Sequence, residues 1–481
     1  MASNSYDEEG EFCRSYLILK PREASFLDLL RLLLFPSDIS ARRRSIHCPT
    51  EEAEERVKDF DRRWIIFISL AVQKLLLLME KPLAAAGYLV ETGLNLLSIN
   101  GGASGLLNNI VKGKVVWPDK ESVSFVSAVG QVDRRVDLDR HIRHRGPKYY
   151  RSLAMMAAKL AWENAAFVKS VITWHWKMEL LGYYNFWNDS QHEPTTGATV
   201  FRDRNLIVVA FRGTRAFVAE DWRTDVDISW YELEGIGKAH RGFMEALGLQ
   251  QGKGWPKEIQ QGPDGLHQYA YYELRSLLKE ALRADTDGED MKFIVTGHSL
   301  GGALAILFAS VLAIHEEAWL LERLEGVYAF GQPRVGDEPF GEFMKQRFKT
   351  YKVNYLRYVY SNDIVPRLPA DDKSLMFKHF SPCLFFGSWL YRGKVLEEEP
   401  NKNYFSPLWA IPKVLNAVWE LIRGFIIPYI EGPTYTESWV LKLVRLFGIA
   451  VPGIPAHCPQ DYVNLTRLGP VTYLEDDYRL A

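Results

Sequence analysis

A serine hydroxyl is a poor nucleophile unless the chain also supplies a base, an acid to orient that base, and donors for the oxyanion. The segment MKFIVTGHSLGGALAILFASVLA, from Met291 to Ala313, offers the nucleophile. Lys292 to Thr296 reads as a strand, Gly297-His298-Ser299-Leu300-Gly301 is a GxSxG match, and Gly302 opens an alanine- and leucine-rich helix. A sharp strand-to-helix turn would hold Ser299 with its hydroxyl above the sheet, and Gly297 and Gly301 keep the neighbouring backbone from clashing. The helix that follows aims its N-terminus at the carbonyl where negative charge develops. GxSxG alone is a weak signal. Its place between a strand and a helix is the context the motif requires, and the competing reading is an ordinary turn that happens to contain serine.

The base and acid are found by order. In α/β-hydrolases they follow the nucleophile as Asp or Glu and then His. Of the 11 histidines, His315, His379 and His457 follow Ser299. His315 falls at the end of the nucleophile helix and points away from the elbow. The best acid is Asp363 in YLRYVYSNDIVPRLP, where Tyr355 to Tyr360 reads as a strand. Asp363 then leaves the carboxyl end of that strand, where catalytic groups of α/β sheets gather. Asp337 and Asp371 are runner-up acids better read as surface loop residues. His379 follows closely in FKHF and is readily satisfied by local packing. His457, in the loop GIPAHCPQDYV, has room to return to the site and is the favoured base. For the oxyanion, the backbone N–H of Leu300 is one donor. LIVVAFRGT, ending at Thr214, is an earlier strand whose exit supplies a backbone N–H and a hydroxyl. The alternative for Gly213-Thr214 is a plain turn.

These residues need a frame. GATVFRD and NLIVVAFRG read as two strands around a turn at Arg202 to Asn205, and helices and strands alternate from there to about Pro369. That alternation predicts an α/β domain with a mostly parallel central sheet. Before it, from Trp64 to Val111, the only charged residues are Lys74, Glu80, Lys81 and Glu91. A single membrane span needs about 20 apolar residues, and a central lysine costs about 2.5–3.5 kcal/mol. Two apolar arms around Lys81-Pro82 suit a hairpin or an interfacial helix better, with Arg62 and Arg63 at lipid headgroups. The alternative is an ordinary buried helix pair. The basic run from Asp139 to Arg151 reads as a linker, a solvated helix end or an anionic-lipid contact. The expected division is therefore 1–149, a helical lipid-associating region, and 150–481, the catalytic domain with an apolar insertion at about 375–455.

Composition agrees with such a chain. It has 481 residues, 47% hydrophobic and 25% charged, with 58 Lys+Arg against 60 Asp+Glu and a net charge of -2. These values exclude a disordered, collagen-like or polytopic membrane protein, and they show no pull towards nucleic acid. The 4 cysteines form no CxxC pair, so neither a disulfide framework nor a zinc site is expected and a reducing compartment is the simpler reading. No secretory signal pattern opens the chain, which makes the sequons at Asn188 and Asn464 chance matches.

Five blocks in order now resemble the class 3, fungal-type triacylglycerol lipases: VVAFRGT, EDWRTDVDISW, HRGFMEAL, GHSLGG, and FGQPRVGD with SNDIVPRLP. The likeness runs from about Tyr150 to Pro369 and resumes at His457. AKLAWENAAFVKSVI, HWKMELLGYYNFWNDSQ and HCPQDYVN, with the apolar N-terminal region, resemble plant oil-body lipases. The resemblance implies an α/β-hydrolase that cleaves acylglycerol esters at the surface of a lipid droplet or membrane, on its cytosolic face. It implies Ser299 as nucleophile, Asp363 as acid, His457 as base, Thr214 and Leu300 as oxyanion donors, and a lid over Ala216 to Asp227 carrying Trp222. No metal or organic cofactor is called for. Two departures stand out. Threonine occupies position 214 where fungal members often carry serine, and the stretch from Asp363 to His457 is long and apolar. Phospholipase A1 or galactolipid acyl hydrolysis is the alternative chemistry, and a catalytically weak droplet coat protein is the alternative of another class. Oligomeric state is not encoded in these motifs.

Overall fold

A computed structural model describes residues 13, 15–34, 45–48, 60–139, 142, 146–250, 253–259, 267–283, 291–369, 377–389, 391–400, 404 and 406–469. Asp371, and 140–141 and 143–145 of the basic run, lie outside the described residues. In chain order the strands are β1 (Ser15–Leu19), β2 (Ile46–His47), β3 (Glu179–Asn188), β4 (Glu193–Asp203), β5 (Leu206–Phe211) and β6 (Trp230–Leu233). They continue with β7 (Gly237–His240), β8 (Lys292–His298), β9 (Leu324–Phe330), β10 (Asn354–Tyr360), β11 (Cys383–Phe386) and β12 (Gly393–Leu396).

The central sheet has 8 strands in the order β12-β11-β10-β9-β8-β5-β4-β3. Strands β5, β8, β9, β10 and β11 run parallel, while β12 and the β3–β4 hairpin add antiparallel edges. The sequence explains the parallel centre. All 6 residues of β5, LIVVAF, are buried. Ile207 and Val209 point into one apolar core, and Leu206, Val208 and Ala210 into the other. A strand apolar on both faces belongs between two helical layers. The β4–β5 turn forms at Arg204-Asn205, with Arg204 in the left-handed region at φ 55°.

A second sheet of 4 strands, β2-β1-β6-β7, joins the start of the chain to the catalytic region, because β1 pairs antiparallel with β6. The long apolar stretch forms one helix of 40 residues, Phe60–Ile99. This corrects the hairpin expectation at Lys81-Pro82. Proline removes one hydrogen bond, to the Leu78 carbonyl. The helix nevertheless runs on through Pro82 to Ile99. Two polar residues of this helix have partners on the protein side: Lys74 Nζ donates to the Pro21 and Ala24 carbonyls, and Ser69 Oγ to Val226 O at 2.8 Å. Among the described residues no helix is long and apolar enough to cross a membrane. Both sequons are buried, at Asn188 and Asn464, which leaves neither open to a glycan.

Candidate active site

β8 ends at His298, and the helix Leu300–Ile314 begins one residue after Ser299. Ser299 bridges them at φ 59°, ψ -132°, a left-handed conformation that L residues adopt only at a cost. The spacing of the glycines has a direct cause. A Cβ on Gly297 would lie 2.1 Å from the Gly301 carbonyl carbon, and one on Gly301 would lie 2.3 Å from Phe211 O. The second contact also seats the helix N-terminus against the end of β5. The exit of β5 is equally close, since a Cβ on Gly213 would meet His298 O at 2.6 Å. The Leu300 N–H lies in the first helical turn, where no preceding turn can accept it. The residues on either side of the Ser299-Leu300 pair, His298 and Gly301, are the ones that the exit of β5 approaches.

Asp363 follows β10 and is fully buried. Its Oδ1 accepts from Val365 N at 2.9 Å, and its Oδ2 accepts from His457 Nδ1 at 2.8 Å and from the Tyr462 hydroxyl at 2.5 Å. Arg367 clamps the loop by donating to the Asp363 and Ser361 carbonyls. With Nδ1–H given to the acid, His457 Nε2 carries the lone pair. It is buried and makes no hydrogen bond among the described residues. His298, next to Ser299, packs its ring 4.5 Å from the His457 ring, and Ser299 N donates to Phe330 O at 2.9 Å. Gly331 follows Phe330, and a Cβ there would lie 3.1 Å from His457 Cε1. Ser299, Asp363 and His457 thus converge at one sheet edge, although His457 and Asp363 are 94 positions apart.

The other candidate residues are accounted for elsewhere. His379 Nε2 donates to Pro366 O at 2.8 Å, and burial holds its pKa well below the usual imidazole value. His315 bridges the Tyr271 hydroxyl and Trp255 O at 2.7 and 2.9 Å. Asp337 caps the helix Glu338–Tyr351. His298 is wholly buried between Trp162, His457 and Tyr462, and burial keeps its ring neutral.

Thr214 behaves differently from a free double donor. Its hydroxyl donates to Asp225 Oδ2 at 2.6 Å, which leaves the backbone N–H for an oxyanion. Asp225 belongs to the helix Ala219–Val226 inside the expected lid, and burial pushes its carboxyl up to about 7. Trp162 Nε1 donates to Thr214 O at 3.2 Å and so holds the following peptide, between Thr214 and Arg215. The segment Ala216 to Asp227 packs against the Phe60–Ile99 helix, where Phe217 fills the space a Cβ on Gly87 would occupy. Trp222 is half-buried and bonds Ala216 O at 3.0 Å.

Sequence reading passed over Tyr462, Gly331, Trp162 and Asp225. Tyr462 could have been suspected from HCPQDYVN, since it lies on the helix that starts just after the base. The others carry no local signal.

Residues 208–373 match the family described as Lipase (class 3). Triacylglycerol lipase OBL1 of Arabidopsis thaliana is 40% identical over 508 residues, covering 96% of each chain. Triacylglycerol lipase OBL1 of Nicotiana tabacum is 41% identical over 486 residues, covering 85% of this chain and 84% of its own. Among solved structures, the native Rhizomucor miehei lipase propeptide complex is 21% identical, covers 56% of this chain and 83% of its own, and has a TM-score of 0.36.

Proposed function

The chain belongs to the class 3 lipase family, and on that premise we infer that it is a serine triacylglycerol lipase working at a lipid surface. It is a carboxylic ester hydrolase. Ser299 attacks the ester carbonyl carbon while His457 Nε2 takes the hydroxyl proton. Asp363 fixes the imidazole tautomer and stabilises the cation that forms. The carbonyl oxygen becomes an oxyanion held by the Leu300 and Thr214 N–H groups. Loss of one such donor typically costs about 10²–10³ in turnover. As the intermediate collapses, His457 returns its proton to the leaving diacylglycerol oxygen. Water then attacks the acyl-enzyme by the same route and frees the fatty acid.

The observation that carries this reading is the 2.8 Å Asp363–His457 hydrogen bond, with Nε2 left unbonded beside the strained elbow. Residues 1–149 serve as the attachment region and 150–481 as the hydrolase with its apolar insertion. The surface of a lipid droplet is the working site, supported by exposed Trp64, Leu75, Leu78 and Leu89 along the 40-residue helix. Fatty acid release from emulsified triolein tests the function. Wild type should release it and Ser299→Ala should fall to background, whereas equal rates for both would remove Ser299 from the mechanism.

A further inference from the structure

We propose that the helices Ala410–Glu431 and Trp439–Gly448, both within the apolar insertion, form a second lipid-contact surface separate from the N-terminal helix. The proposal rests on the lipase reading, since it takes the insoluble substrate phase as the partner. What points to it is an inverted distribution of polarity. The first helix carries the charged residues Lys413, Glu420, Arg423 and Glu431. The first three are buried, and only the terminal Glu431 is exposed. On the outside, Ile411 is 73% exposed and Tyr429 90%, with Leu415, Ile422 and Phe425 between them at helical spacing. The second helix repeats the pattern. Arg445 is buried and paired with Glu437 at 2.8 Å and Asp461 at 3.0 Å, while Trp439, Leu446 and Phe447 face outward.

A helix in contact with water turns its charges outward and its apolar stripe inward. A partner protein is met by an apolar centre inside a polar rim. Along the outward stripe of the first helix, from Ile411 to Tyr429, the exposed side chains are apolar or aromatic, and charge enters only at Glu431 and Lys442. A flanking cation, Lys442, lies with its ammonium 4.3 Å from the Phe425 ring, as a lysine does when its stem follows an apolar surface. Trp409, Tyr429 and Trp439 supply the amphipathic rings favoured at headgroup level. The helix pair is also tied to the attachment helix through the segment 126–132. Ser438 Oγ donates to Val132 O at 2.8 Å, and the segment before Val132 is held by Glu91 and Asn95 of that helix. Inward, the pair is tied to the acid and base loops: Asn416 Nδ2 donates to Ser361 Oγ at 3.0 Å and Arg423 Nη2 to Asp461 Oδ1 at 2.6 Å. Lipid contact here would hold the triad at the edge of the oil phase.

The test uses the full chain carrying Leu415→Glu with Phe425→Glu, and triolein droplets coated with phosphatidylcholine as probe. Hydrolysis of dissolved p-nitrophenyl butyrate should stay within about twofold of wild type. Droplet-bound protein and triolein hydrolysis should both fall about tenfold or more. Unchanged binding and triolein hydrolysis would overturn the proposal. So would a wild-type dimer that the variant converts to a monomer with droplet binding intact, since a second copy would then cover the surface. Should the glutamates also abolish butyrate hydrolysis, the neutral pair Leu415→Ser with Phe425→Ser is judged by the same measurements. Brominated phosphatidylcholine gives an independent reading. It should quench emission that Trp439→Phe removes, and equal quenching of both proteins would count against contact. A wild type that binds droplets but leaves triolein intact would refute the lipase reading and spare the surface.

Discussion

Gly331 contributes nothing to the triad except the absence of a side chain, which makes it a sharp test of the catalytic geometry. It sits at φ 57° directly after β9. A Cβ at this position would lie 2.9 Å from Asp363 Oδ2, 2.9 Å from the Tyr462 hydroxyl oxygen and 3.1 Å from His457 Cε1. Relaxing a carbon and an oxygen to about 3.3–3.6 Å means that the acid, the base or both move by roughly half an ångström. A 1 Å misplacement costs about 10² in rate, so half of that is worth about tenfold, or ~1.4 kcal/mol of barrier. Gly331→Ala should therefore lower kcat on p-nitrophenyl butyrate about tenfold with KM little changed. The left-handed backbone adds a separate stability cost of about 1–2 kcal/mol. Gly235→Ala isolates that cost, because Gly235 has φ 70° and a Cβ there would meet nothing within 4 Å. Both variants should lose a few degrees of Tm, and only Gly331→Ala should lose turnover. If the two folded variants match in kcat to within twofold, the triad is not crowded at Gly331 and the argument fails.

The remaining expectations concern groups around the same site and the attachment helix. Tyr462→Phe removes a donor to the Asp363 carboxylate, a hydrogen bond worth about 1.5–3 kcal/mol. Its kcat on p-nitrophenyl butyrate should fall several-fold with KM little changed. An unchanged kcat would make Tyr462 merely structural. His457→Ala should abolish ester hydrolysis while His379→Ala leaves it, and the reverse result would reassign the base. Asp225 is held up at about 7 by burial, against about 3.9 when unfolded. Between those values only the folded state binds the proton, so the contribution of Asp225 to stability is greatest below pH 4 and falls as pH rises towards 7, by at most ~1.4 kcal/mol per unit. Asp225→Asn should flatten that part of a Tm-against-pH curve, and an unaltered slope would contradict it. Leu78→Glu with Leu89→Glu should release the full chain from floating droplets without reducing butyrate hydrolysis, and undiminished flotation would dismiss the helix as an attachment.

The sequence made some parts of this site legible and hid others for physical reasons. Ser299 and its glycines were readable because steric clashes between residues a few positions apart impose the spacing. Asp363 was readable because it ends an obvious strand, and His457 because few histidines follow the nucleophile. The parallel centre of the sheet was readable from the alternation of helices and strands up to about Pro369. Gly331 and Trp162 were hidden, since their roles exist only across separate strands and loops. The Thr214 hydroxyl was assigned to the oxyanion loop, but a carboxylate 11 positions away claims it. Of the hairpin and the interfacial helix expected around Lys81-Pro82, the hairpin is not formed, because the helix runs on through the proline. The pairing of β1 with β6 was likewise beyond local pattern, because it joins segments far apart in the chain.

The long separation between Asp363 and His457 is itself informative. A base delivered on a loop after so large an insertion could be poorly fixed, yet its ring must stay oriented to the acid. The segment after His457 is held by buried charge. Asp461 accepts from Arg423 at 2.6 Å and from Arg445 at 3.0 Å, Arg445 also bonds Glu437, and the Tyr391 hydroxyl donates to Asp461 at 2.9 Å. Such a network contributes little net stability compared with an apolar core. Its effect is geometric: removing one member leaves a buried charge uncompensated, at about 3–5 kcal/mol, so alternative packings of this segment are excluded. The same arginines and carboxylates hold the two inverted helices in place. The insertion therefore turns its apolar residues outward at no cost to the precision of the base, because charge inside the protein does the fixing that an apolar core would otherwise do.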